Sequence, residues 1–239
     1  MLNERKKIMS PYVEAIRKNL DLTQNKTLKV LIYEAFRKTI ILGEIPAGAR
    51  INEKEFSEVL NISRTPIRYA MTQLVKEQLV EHVPRVGIVV KGISIKDAYE
   101  IYDIRKALDT MATIKAMESM TEADFVELKE LLEYGEQLNK EDKVEEVLKN
   151  FSDFNAFIYE KSQMPRLKSI VLNLQAYLVY FRDIAIRSSN RRDQALKEHW
   201  LIYRGMKTNN VEQITLITHE HLERSLKFIL TEMERRKID

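Results

Sequence analysis

Apolar positions recur at intervals of three and four along most of this chain, and that interval predicts its elements. Leu28, Leu31, Ala35, Phe36, Thr39 and Ile40 form such a stripe over 28–42, which Gly43, Pro46 and Gly48 in GEIPAG bring to an end. A second helix is predicted over 52–60, with Asn52 as N-cap, Glu55 three residues on, and Phe56, Val59 and Leu60 as its apolar positions. After the turn NIS, Ser63 can cap a third helix running to about Gln78. It turns Ile67, Ala70, Met71, Leu74 and Val75 inward and leaves Arg64, Arg68 and Thr72 outward. The period then changes. LVEHVPRVGIVVKG, 79–92, places β-branched residues on both sides of Pro84, Arg85 and Gly87, the pattern of a two-stranded hairpin with a basic tip. Three helices and a hairpin within about 65 residues make a winged helix-turn-helix.

From Ser94 onward strand signals vanish. Six helices are predicted near 94–119, 121–139, 143–162, 165–188, 191–208 and 210–237, with Ser94 and Thr121 as caps and Pro165 and Asn209 as breaks. Such short connections imply antiparallel neighbours, hence an all-α bundle. Ahead of the head, 1–27 reads as an extension with a short helix: Ser10 and Pro11 form a cap and first-turn pair, and Tyr12, Ile16 and Leu20 share a face. The expected organisation is therefore mainly α: the extension at 1–27, the winged head at 28–92, GISI at 92–95 as joint, and the bundle at 93–239.

Composition agrees with a core-forming, helix-rich protein, at 44% hydrophobic and 31% charged residues in 239, with six Gly and five Pro. There is no Cys, which excludes a disulfide framework and thiolate metal ligation and suits a reducing cytoplasm. The N-terminus has no apolar signal region and no run approaches a membrane span. The net charge of +3 is uneven. Residues 1–92 carry 16 Lys and Arg against 10 Asp and Glu, and the remainder 23 against 26. Basic charge concentrated on the head points to a polyanionic partner there.

If the third helix enters the major groove, its first turn reaches base edges, where an Arg can pair bidentately with guanine. Arg64 and Arg68, four apart on one face, are the base-reading candidates. Thr65 can meet a phosphate or a thymine methyl, Ser63 starts the helix and Pro66 shapes its turn. Lys54, Arg85 and Gly87 would flank the groove, where backbone contacts set register. There is no Gly-rich phosphate loop, no Cys nucleophile and no Ser-His-Asp spacing, so no enzyme is expected.

RINEKEFSEVLNISRTPIRYAMTQLVKEQLVEHVPRVGIVVKG at 50–92 resembles the DNA-binding domain of the GntR family of bacterial transcription regulators, and the likeness extends back to Leu28. EIYDIRKALDTMATIKA at 100–116, MPRL at 164–167 and EHWLIYRGMKTNN at 198–210 resemble the helical FCD effector domain of the FadR-like branch. Six helices favour the VanR-like subgroup over the acyl-CoA-binding type. The resemblance implies a dimer that meets a palindromic operator on double-stranded DNA, as a repressor or activator, and answers to a small organic acid. Many members hold a divalent metal, Zn or Ni, through Asp-x-x-x-His and two later His. His199 and His221 match the later pair, but Phe151 stands in the Asp position and Asn155 in the His position. Two imidazoles and an amide make a poor site, and Asp153 faces away from it. His219 is read as surface, two residues from His221.

Effector candidates are then Arg105, Asn155, His199 and His221, with Tyr102 and Arg182 as further lining. Arg105 lies among Ile101, Ile104 and Leu108 on a helix expected to line the bundle, and an Arg drawn out of water needs an anion, either Asp109 at i+4 or a bound carboxylate. Rival expectations are a helical module with non-specific nucleic-acid contact and, more remotely, a metallohydrolase.

Overall fold

The computed structural model describes residues 12–239, so the cap assigned to Ser10 and Pro11 lies outside the described residues. The chain divides into two compact units, one essentially up to Ser94 and one from Ile95 to Arg235.

In the first unit α1 (Val13–Asn19), α2 (Leu28–Ile41), α3 (Glu53–Leu60) and α4 (Arg64–Lys76) surround an apolar centre, with strands β1 (Arg50–Ile51), β2 (Val80–Val83) and β3 (Gly87–Val90) at its side. Phe36 of α2 and Phe56 of α3 meet edge to face at 5.0 Å, and Ile32, Ile40, Ile67 and Met71 are fully buried around them. Asn52 caps α3 as its sequence predicts, accepting from the Lys54 and Glu55 backbone N–H groups at 3.1 and 3.3 Å. Ser63 is the N-cap residue of α4 but makes no side-chain capping bond. Two of the expected inward positions, Leu28 and Val75, are exposed, each in an end turn of its helix.

Helix α1 belongs to this unit. It buries Val13 and Ile16, and Asn19 donates to Thr39 Oγ1 and Glu44 Oε2 at 3.0 and 2.7 Å. The extension is therefore structured against the head from its first described turn. The hairpin has a third strand that the sequence does not betray: Arg50 and Ile51 pair with Val89 and Ile88, in sheet order β1-β3-β2. Two residues are too few to show an alternating period.

The second unit holds six helices: α5 (Ile95–Ser119), α6 (Glu122–Lys140), α7 (Val144–Lys161), α8 (Pro165–Ile186), α9 (Ser189–Lys207) and α10 (Val211–Arg235). Thr121 and Asp124 form a reciprocal capping box, and Pro165 occupies the first turn of α8. One apolar cluster joins Phe125, Leu128 and Leu132 of α6 to Phe154, Ile158, Ile202, Met206 and Ile214. Gly135 lets α6 and α7 close up: a Cβ there would stand 2.4 Å from Asn150 Oδ1, while the Asn150 amide donates to the Leu131 carbonyl. Along α5, Ala98, Ile101, Tyr102, Arg105, Asp109, Ala112 and Ala116 are buried, but Ile104 is exposed, correcting its expected inward position.

A largely buried ion pair ties the C-terminal end of α4 to α2. Arg37, 7% exposed, donates to Glu77 Oε2 at 2.7 Å, and Tyr33 hydroxyl also bonds Glu77. Removing Glu77 costs Arg37 a charge-assisted hydrogen bond, so Glu77→Ala is expected to destabilise the head by about 1.5–3 kcal/mol in chemical denaturation. A loss below about 1 kcal/mol would mean that water already screens the pair.

Candidate functional site

Two sites emerge, one in each unit. In the head, Arg64 and Thr65 open α4 and are exposed, as are Ser63 and Arg68, whereas Pro66 of the same turn is buried with Ile67, Ala70 and Met71. Because Ser63 caps nothing, the first-turn N–H groups remain available to an anion. Arg68 faces Glu53 only loosely at 3.9 Å, with its side chain 71% exposed, and Lys54 faces Glu58 at the same distance. Neither pairing immobilises its cation.

Arg85 sits at the tip of the wing with φ +65°, in a turn closed by the Val86 N–H donating to the Val83 carbonyl with Pro84 between. A non-glycine residue in the left-handed region costs roughly 1–2 kcal/mol, a cost that projects a guanidinium into solvent. Gly87 has φ +106°, which explains why that position is glycine. A cleft of about 340 Å³ runs between wing and helices, lined by Arg50, Asn52, Lys54, Arg64, His82 and Gly87 among others. Arg50 was missed by sequence reasoning. The signal for it would have been the third strand, which sets it beside Gly87.

The second site is a cavity inside the bundle. It is lined from α5 by Tyr102 and Arg105, from α7 by Phe151 and Asn155, from α8 by Gln175 and Arg182, from α9 by Arg191 and His199, and from α10 by His221 and Ser225. All four sequence candidates, Arg105, Asn155, His199 and His221, thus reach one space. Arg105 donates to Asp109 at 2.8 Å, Asp109 accepts from the Tyr159 hydroxyl at 2.9 Å, and Gln175 donates to that hydroxyl at 2.7 Å. Burial alone would depress Arg105, but the adjacent Asp109 carboxylate more than offsets it and holds the guanidinium charged. Burial, with Asp109 beside it, pushes the Tyr159 hydroxyl up, so it stays a neutral donor. The Arg105 guanidinium also lies 4.9 Å from the Tyr102 ring, whose hydroxyl bonds Ser225.

Glu198, 2% exposed, was not foreseen. It bonds His221 Nδ1 at 2.9 Å and accepts from Arg191 at 3.3 Å and Gln194 at 3.1 Å. Burial would raise its pKa, but the hydrogen bond and charge of His221, with Arg191, hold it below the ordinary value. A carboxylate only accepts, so His221 carries its proton on Nδ1. Helical spacing in RRDQALKEH gives no hint that Arg191 and Glu198 turn inward together, because both read as a solvated face.

His199 is stacked on Phe154 at 4.2 Å and meets Phe151 edge-on at 4.9 Å. Its Nδ1 is buried without a hydrogen-bond partner. Phe151 therefore fills with carbon the position where a carboxylate ligand is expected, and Asn155 spends its amide N–H on the Phe151 carbonyl. Among the described residues no group of three or more His, Cys, Asp or Glu is arranged to hold a metal. With Phe151 and Asn155 in the other two positions, two imidazoles and an amide do not fit a Zn²⁺ or Ni²⁺ site.

A basic winged head and a helical bundle enclosing a polar cavity define a DNA-binding regulator with a ligand-binding part. Residues 28–90 match the family described as bacterial regulatory proteins, gntR family, and 100–224 match the FCD domain. The chain belongs to the GntR family of transcription regulators, in the branch that carries an FCD effector-binding domain, and is not an enzyme. It is 28% identical to the uncharacterized HTH-type transcriptional regulator YdhC of Bacillus subtilis over 84% of this chain and 91% of that one. It is 27% identical to the HTH-type transcriptional regulator McbR of Escherichia coli, over 74% and 81%. The solved structure of E. coli McbR/YncC shares the fold with a TM-score of 0.60 at 23% identity, over 86% of this chain and 98% of that one. Among the described residues no helix is long and apolar enough to cross a membrane.

The state of His199 makes a pH prediction. Burial first, then the charges of His221, Arg191 and Arg182, hold it well below the ordinary value near 6.5. Below about 6.5 the unfolded chain takes a proton there that the folded chain refuses, so stability present above 6.5 is lost as pH falls. Thermal unfolding followed from pH 7.5 to 5 is expected to show this slope, and His199→Leu to flatten it by at most about 1.4 kcal/mol per pH unit. Identical slopes in both proteins would contradict a neutral buried His199.

Proposed function

We propose that this regulator binds as a homodimer to a palindromic operator, with Arg64 and Arg68 reading bases and Ser63, Thr65, Lys54, Arg85 and Gly87 setting its position on the backbone. The observation that carries this reading is the exposed, weakly paired first turn of α4 beside a basic wing tip. Two heads on a two-fold axis would present two such helices to half-sites about one helical turn apart. It acts as a repressor in the cytoplasm, where its operator is. Among its relatives is one named gluconate operon transcriptional repressor, from Bacillus licheniformis, 24% identical over 78% of this chain.

Arg105, Asn155, His199 and His221 line the space in which a small organic acid would bind. Control follows from linkage: a ligand that prefers one conformation of the bundle changes operator affinity, and the operator changes ligand affinity by the same factor.

Selection from a random duplex pool tests the DNA reading. A palindromic consensus is expected, bound more tightly than competitor DNA by ~4–10 kcal/mol. Arg64→Ala and Arg68→Ala should each cost about 1–3 kcal/mol and relax preference at particular positions, whereas Arg85→Ala should weaken all sequences alike. If the pool yields no consensus, the head is a non-specific binder. If the α4 variants keep full sequence preference, base reading lies elsewhere.

A further inference from the structure

We infer that the bundle cavity takes a small carboxylate directly on its arginines, with Arg105 foremost and no metal between anion and protein. The inference rests on the reading of the bundle as the effector-binding part.

Among the described residues that line this cavity are three arginines, Arg105, Arg182 and Arg191, and no Asp or Glu. The carboxylates that balance two of them lie behind the wall: Arg105 Nη2 is held by Asp109 and Arg191 Nη1 by Glu198. Each bond occupies one corner of a planar five-donor fork. Arg105 is 8% exposed, and its Nε is buried without a hydrogen-bond partner among the described residues. A buried N–H of a charged group left unmade is costly, and so is the unpartnered Nδ1 of His199 on the same wall. The Arg105 and His199 side chains both reach this wall, and an anion in the cavity would lie beside the guanidinium.

The chemistry of that group follows from the wall. A guanidinium edge matches the two oxygens of a carboxylate. Leu178, Val179 and Ile229 line the rest of the space and suit a short apolar end. The cavity measures about 40 Å³, room for roughly three water molecules, so the ligand is of acetate or pyruvate size. A metal would ordinarily hold such a carboxylate by its own charge. Here the phenyl ring of Phe151 stands against His199 where a carboxylate ligand is expected, Asn155 stands in place of a His, and the arginines supply the positive charge instead.

The test uses the full chain after dialysis against EDTA, with metal content checked by elemental analysis. Thermal unfolding and calorimetry are run with sodium acetate, sodium pyruvate, acetamide and sodium phosphate at matched ionic strength. Acetate or pyruvate is expected to raise the unfolding midpoint, equally with and without EDTA, and acetamide, of the same shape but neutral, is not. Arg105→Gln is expected to weaken carboxylate binding about tenfold or more. Because that change also unsettles Asp109, Arg182→Gln is the second variant. Its side chain is 26% exposed and its partners are Asp183 and Ser152, so the ligand-free midpoint should hold while carboxylate affinity falls severalfold. A carboxylate effect that appears only after Zn²⁺ or Ni²⁺ is added overturns the direct contact and leaves the organic-acid reading standing. Binding of phosphate alone, equal binding of acetamide, or no shift with either carboxylate overturns the inference, and no shift with either also removes the support for an organic-acid effector of this size. Operator binding is read in a separate assay and is untouched by any of these results.

Discussion

A guanidinium withdrawn from water must be given an anion, and the bundle is organised around that requirement. Arg105, Arg191 and Arg192 are all at least nine-tenths buried, and each is answered: by Asp109, by Glu198, and by Asn139 with Asp142. These answers come from different helices in different cases. Asp109 is one turn along α5 but draws in Tyr159 of α7 and Gln175 of α8, while Glu198 of α9 binds His221 of α10. Charge satisfaction therefore ties five helices together at the level of the cavity, and apolar clusters such as that of Phe154, Ile158 and Ile202 close the bundle beyond it. Replacing one partner of such a set leaves the remainder charged and dry, which makes the set all-or-none.

The same rule separates structure from function in the head. Arg37 is buried and tightly paired, and its work is to hold α4 in place through Glu77. Arg64, Arg68 and Arg85 are exposed and weakly restrained, on a first helical turn and on a turn with an unfavourable backbone angle. Charges that satisfy no internal demand, mounted on elements that are themselves well anchored, are what a phosphate-rich partner needs.

Much of this was legible in the sequence, because helix periods, caps and a β-branched hairpin are local signals. The helices of the bundle fall within a few residues of their predicted limits, and Asn52 and Thr121 cap as read. The family resemblance, not any local signal, singled out Asn155, His199 and His221, and with Arg105 they line one cavity. What escaped depends on distant partners. The strand at Arg50–Ile51 exists only because β3 pairs with it. Glu198 and Arg191 look like surface charges until two helices bring His221 and the cavity beside them. Val75 and Ile104 have the right spacing for burial but are exposed, which spacing alone cannot tell.

The central claim is that the bundle's ligand and the head's DNA are thermodynamically linked, and operator affinity measured across a titration of acetate or pyruvate tests it most directly. A saturable change in operator affinity is predicted, with ligand affinity shifting by the same factor when operator is present, typically 5–150-fold. A carboxylate that saturates the bundle while operator affinity stays constant would contradict it.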